Sequence, residues 1–172
     1  MNVDSKMGWI GVFTLKHFRD GELIGEDKYE NKLVDEGKDY LVGLSLNNDG
    51  TAKVDTWYAT LYTTNITPDD DETAASAVGD LGEVTGSEVT NGTRPQWVPN
   101  TSVANNGALS SNSEDPALFT MNASVTIHGA YIVSTNVIGV GSGTLLAASK
   151  FGTGRAVLSA DVLQLTYNIL LA

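Results

Sequence analysis

The stretch Ala117–Leu170, ALFTMNASVTIHGAYIVSTNVIGVGSGTLLAASKFGTGRAVLSADVLQLTYNIL, decides how this chain folds. Between Ala123 and Thr135, Val125, Ile127, Gly129, Tyr131 and Val133 take alternate positions. Ser124, Thr126, His128 and Ala130 fill the positions between them. Near the end, Val162, Leu163, Leu165, Tyr167 and Ile169 form a second run, with Gln164, Thr166 and Asn168 opposite. Successive side chains of a strand leave on opposite faces, so a period of two marks half-buried strands. Gly139–Gly143 (GVGSG) and Gly152–Gly154 (GTG) read as turns or long loops between strands. The charges of the stretch are Lys150, Arg155 and Asp161 alone. That is poor ground for acid–base chemistry and good ground for a rigid packed core.

The segments before it continue the pattern. Gly8–Phe18 reads as a first strand, with Trp9, Phe13 and Leu15 on one face beside His17. Asp20-Gly21 signals a hairpin, because glycine accepts the positive φ that tight turns need. The partner strand, Glu22–Glu30, is heavily charged and is expected to be an exposed or edge strand. Leu33–Leu46 then breaks the period of two. Val34, Leu41 and Leu44 recur at helical spacing beside Tyr40, which predicts one helix near residues 34–46 with Asp35 as its N-cap. Gly37 and Gly43 each weaken that helix by about 1 kcal/mol relative to alanine. Asn47-Asn48-Asp49-Gly50 is a turn that stops it. Lys53–Thr64 returns to strand with aromatic residues on both faces, so it is expected to be central and covered on both sides.

Residues 65–112 form a loop-rich interval. Within it, Ile66–Leu81 has two readings of equal weight: a short helix with Thr67 as N-cap and Pro68 at N1, or a mobile loop. Glu88-Val89-Thr90 reads as a short strand, and Asn91-Gly92 and Asn105-Asn106-Gly107 as turns. Arg94–Pro99 (RPQWVP) is extended, since each proline biases the residue before it away from helix. Such a segment can pack Trp97 on the domain's own flank or on a neighbouring subunit; Trp97, Arg94, Pro95 and Pro99 are the candidates for the subunit contact, because aromatic residues and arginine are enriched at such contacts. The whole is expected to be a single, mainly β domain over residues 1–172. It is an antiparallel β-sandwich with one α-helical insert, and residues 1–7 are a flexible arm.

Composition narrows the function classes. Asp and Glu number 21 against 10 Lys and Arg, a net charge of −11. Such a surface repels phosphate backbones, which argues against nucleic acid as a partner. No apolar run reaches the ~18 residues of a membrane span. The start, MNVDSKMGW, lacks a secretory pattern, and the chain has no cysteine. Synthesis in a reducing cytoplasm is the expectation.

No motif elects a catalytic site or a cofactor. Asp69-Asp70-Asp71-Glu72 are consecutive acids, whereas a calcium loop spaces its ligands at alternate positions. A solvated turn or helix cap is the expected role. His17 and His128 are the two histidines, without HExxH or GxSxG around them. Gly139–Gly143 lacks the lysine of a phosphate-binding loop. The expectation is a protein that is not an enzyme and carries no metal or cofactor.

An N-terminal hairpin leads into NKLVDEGKDYLVGL (residues 31–44), then TWYATLYTTN (56–65) and an acidic interval. A TRPQW segment (93–97) follows, and a Gly-, Ser- and Thr-rich end finishes in DVLQLTYNI (161–169). This order of features resembles small virion proteins of tailed bacteriophages, among them capsid decoration (cement) proteins with a jelly-roll-like β domain. The resemblance spans most of the chain. It implies a structural role on the capsid surface: a homotrimer clamped over joints between major capsid protein subunits, with no catalytic residues to carry over. The alternative is a tail, fibre or receptor-binding virion component.

Overall fold

The computed structural model describes residues 9–46, 50–100 and 108–171. The expected arm at residues 1–7 and the turn residues Asn47-Asn48-Asp49 and Asn105-Asn106-Gly107 lie outside the described residues.

The period-two runs form strands. β1 (Trp9–Arg19) and β2 (Glu22–Leu33) make the hairpin expected at Asp20-Gly21, where φ is 52° and 82°. β3 (Trp57–Tyr62) and the two-residue β4 (Gln96–Trp97) precede β5 (Ala108–Ser111) and β6 (Ala117–Thr120). β7 (Val125–Val133), β8 (Leu145–Val157) and β9 (Val162–Leu171) complete the set. Two antiparallel sheets result, consistent with a β-sandwich. One runs β2-β1-β9, with β5 and β6 both paired to the free side of β9. The other runs β4-β3-β7-β8. β2 joins them, because its last residues Lys32 and Leu33 pair with Ala148 and Ala147 of β8.

The register places the core. Phe13, Leu15 and His17 of β1 stand opposite Tyr167, Leu165 and Leu163 of β9. They face inward with Phe119, Ile127, Ile132, Phe151 and Leu61 to fill the space between the sheets. A second apolar layer lies on the other side of β3 and β7. There Tyr62, Tyr131, Val133 and Leu145 meet Ala74, Ala77 and Leu81. β3 is therefore covered on both faces, as its aromatic pattern implies.

The helices depart from their expected details. α1 (Asp35–Ser45) begins after Val34, and the end carries no side-chain cap; Asp35 instead accepts from Lys38 Nζ at 2.7 Å. Its buried face is Gly37, Tyr40 and Gly43, while Leu44 is exposed. Gly37 passes directly over the Leu146 carbonyl of β8, where a Cβ would collide. Gly37, one of the two glycines that weaken the helix, is what lets it lie close to the sheet. α2 (Ala74–Asp80) takes Thr73, not Thr67, as its N-cap. Thr73 Oγ1 accepts from the Ser76 N–H at 3.2 Å, and Ser76 Oγ accepts from the Thr73 N–H at 3.0 Å, a reciprocal capping box. Thr73→Ala is expected to cost about 1 kcal/mol and Thr67→Ala close to nothing; chemical denaturation of the two variants distinguishes these caps.

Gly152–Gly154 lies inside β8 and is not a turn. A Cβ on Gly154 would meet His128 at 2.6 Å and Thr126 at 2.7 Å, so glycine is needed there for the strand to pass β7. Gly139–Gly143 is a loop, as expected, with positive φ at both ends. Glu88–Thr90 contributes a single bridge, Val89 to Met121, in place of a strand.

Candidate functional site

The segment singled out by sequence is turned inward. Arg94 and Trp97 are 2% and 5% exposed, so within this chain their side chains pack into its own interior. Pro99 is exposed and Pro95 is half-buried. Trp97 joins the inter-sheet core, and its indole N–H donates to the Tyr167 carbonyl at 3.1 Å.

Arg94 is held by Glu83. The guanidinium donates from Nε to Glu83 Oε1 at 2.6 Å and from NH2 to Oε2 at 2.7 Å, a bidentate pair. Glu83 also accepts from Thr60 Oγ1 at 2.8 Å and from the Gly139 N–H at 2.9 Å. Arg94 donates further to the carbonyls of Thr135 at 3.0 Å and Val140 at 3.2 Å. One buried ion pair thus ties β3, the segment before β4 and the 135–140 loop together. Burial disfavours the Arg94 charge, but the Glu83 carboxylate more than offsets it and holds the guanidinium pKa above its ordinary value. Tyr131 packs under Arg94, 5.9 Å from ring centroid to guanidinium. Its hydroxyl is pushed up, by burial first and by Glu83 second. Four donors occupy the two oxygens of Glu83, so it has no lone pair placed for a substrate.

A second buried carboxylate closes the opposite region. Asp161 accepts from Arg19 Nε at 2.9 Å and NH2 at 2.8 Å, and from the Leu158 N–H at 2.8 Å. His17 Nε2 lies 2.7 Å from Asp161 Oδ2. A carboxylate can only accept, so the imidazole Nε2 carries the shared proton. The group clasps the turn end of the β1–β2 hairpin to the turn before β9. Hydrogen bonding by Arg19, helped by Leu158 and His17, outweighs desolvation and holds the Asp161 pKa well below the usual carboxylate range. Its folded pKa is depressed, so the stability it contributes is present above its ordinary value of 3.8 and is lost as pH falls below that. Asp161→Asn is expected to unfold more easily than wild type at neutral pH, with the gap narrowing below about pH 4. Urea midpoints measured across that range check this.

The acidic run does not converge. Asp69, Asp70 and Asp71 are exposed, while Glu72 is buried against the Ser76 hydroxyl at the start of α2. Among the described residues, no three potential ligand side chains gather into a metal cage. The run adjoins a cleft of about 360 Å³ that opens where β2 and β8 part, with Glu30 and Lys150 on its walls. His128 lies apart from His17, against Gly154 on β7 and β8.

Glu83 and Asp161 are the residues that sequence reasoning passed over. Asp161 is a lone carboxylate beside an apolar stretch, and that isolation was the available signal; Glu83, between Asp80 and Glu88 in an irregular segment, carried none. What these clusters do chemically is hold charge in fixed hydrogen bonds. No family model matches the chain, and no curated protein matches it.

Proposed function

We propose that the chain is a structural protein of a tailed-bacteriophage virion, one that decorates the capsid surface and stabilises it by binding over joints between major capsid protein subunits. In this reading it acts as a homotrimer and has no catalytic role. The observation that carries the reading is the use of its buried charges. Arg94–Glu83 and Arg19–His17–Asp161 each lock a loop or hairpin onto the sandwich. That makes a stiff block of the kind a clamp requires, and it agrees with the sequence resemblance. The acidic surface keeps the protein dispersed before assembly and favours docking on a basic patch.

The test uses shells of the encoding phage assembled without the chain. Adding the purified protein is expected to raise the temperature at which these shells rupture, with saturation at a fixed ratio of chain to capsid subunit. Shells that neither bind the protein nor gain stability contradict the proposal. Binding to tails in their place moves the assignment to the tail or fibre reading.

A further inference from the structure

Among the described residues, one asparagine stands directly before a glycine: Asn91 before Gly92. Gly92 is exposed, and a Cβ built there would meet nothing within 4 Å. No side chain shields its backbone nitrogen, and the peptide turns with the freedom of glycine. Asn91 is half-buried. Its Nδ2 donates to the Leu118 carbonyl of β6 at 3.0 Å, and its Oδ1 has no partner among the described residues. The exposed asparagines Asn65, Asn122 and Asn136 precede Ile66, Ala123 and Val137, whose Cβ atoms crowd the following peptide nitrogen.

Asn91 and Gly92 sit in a short span fixed at both ends. The Thr90 N–H donates to the Thr120 carbonyl of β6 at 2.9 Å, and the Arg94 N–H donates to the Asn136 carbonyl at 2.8 Å. The Arg94 side chain is held in turn by its bidentate pair with Glu83. Only Asn91, Gly92 and Thr93 lie between these anchors. A change in backbone length there must be absorbed within three residues or passed to one of the anchors.

We propose that Asn91 is a site of spontaneous deamidation in the folded protein, and that the isoaspartate formed there loosens the tie between β6 and the buried Arg94. The Gly92 backbone nitrogen loses its proton to a base in solvent and attacks Asn91 Cγ. A bond forms between the two atoms, the bond from Cγ to Nδ2 breaks, and Nδ2 leaves as ammonia with a proton from water. Water then opens the cyclic imide at one carbonyl or the other, giving aspartate or isoaspartate. Both products put a carboxylate where an amide donated to the Leu118 carbonyl, so acceptor faces acceptor. Isoaspartate also routes the backbone through the former side chain and adds a methylene between the Thr90 and Arg94 anchors. This inference does not depend on the virion reading.

The test incubates the full-length folded protein in mildly alkaline buffer beside a short peptide of the same local sequence. Peptide mapping by mass spectrometry follows each asparagine, and an isoaspartyl methyltransferase tells isoaspartate from aspartate. Asn91 is expected to react within about tenfold of the free peptide's rate, since only a local opening is needed, and ahead of Asn65, Asn122 and Asn136. Gly92→Ala is expected to slow the reaction severalfold. A slower rate than that in the folded chain, equal rates at the other three asparagines, or no effect of Gly92→Ala overturns the site. The isoaspartyl protein is then separated by its added charge. Expected are a lower urea midpoint and faster amide exchange at Thr90, with a smaller change in Asn91→Asp, which gains the carboxylate without the methylene. An unchanged midpoint and exchange, or equal losses in the two forms, overturns the assigned consequence.

Discussion

Glu83→Ala is expected to destabilise the protein by about 3–5 kcal/mol, because it strands a fully buried arginine without its counter-charge. The loss extends beyond the pair. Thr60 Oγ1 and the Gly139 N–H lose their acceptor in the same step. Each buried group left unsatisfied adds about 1–3 kcal/mol where water cannot enter. Arg94→Ala removes the other partner and also frees the Thr135 and Val140 carbonyls. The double variant is expected to cost clearly less than the sum of the two single ones, since each single change leaves a charge behind. Urea denaturation of the four proteins gives the coupling directly. Additive losses would mean that the two side chains act independently, against the geometry described.

Gly129→Ala is the second large effect. Gly129 sits in β7, and a Cβ there would run into the ring of Tyr62 and the backbone carbonyl of Ser149 on β8. A flexible side chain could move aside, but a carbonyl in a paired strand cannot move without disturbing the ladder. Overpacking of this kind costs about 1–3 kcal/mol where neighbours yield, and the upper end is expected here. Tyr62→Leu in the same chain would relieve the ring contact and leave the carbonyl contact, so partial rescue is the expected pattern. Full rescue would show that β8 adjusts freely at Ser149. Thermal unfolding of the single and double variants separates these outcomes.

These two sites also show what the sequence could and could not disclose. β9 was legible because it buries one face and leaves the other partly wet, which writes a period of two into the residues. β7 carries the same alternation at its start but is buried on both faces from Gly129 to Val133. β8 was hidden for a physical reason. Its Gly152 and Gly154 look like turn residues, yet both lie inside the strand, and glycine is needed at 154 where the strand passes His128 and Thr126. The same inversion occurs in α1, where glycines that lower helix propensity form the buried face. Propensity describes a residue alone, whereas these positions are decided by a neighbour distant in sequence.

Arg94, just before Pro95, and Trp97, between Pro95 and Pro99, stood out in the sequence. Their direction was not legible. An arginine beside a tryptophan reads as an interface pair unless its partner is known, and Glu83 lies eleven positions away in an irregular segment. The clasp at Asp161 spans a still longer separation, to His17 and Arg19 at the other end of the chain. Local pattern carries no information on such pairings. The structural role on a virion was suggested by the order of short segments, and the braces found in the fold are consistent with the stiffness that role demands.

A reconstruction of the intact particle of the encoding phage, at a resolution that follows strands, tests the central proposal most directly. The account predicts this sandwich as trimeric density seated over joints between major capsid subunits. Density for the chain in the tail or baseplate, with bare capsid joints, would contradict it.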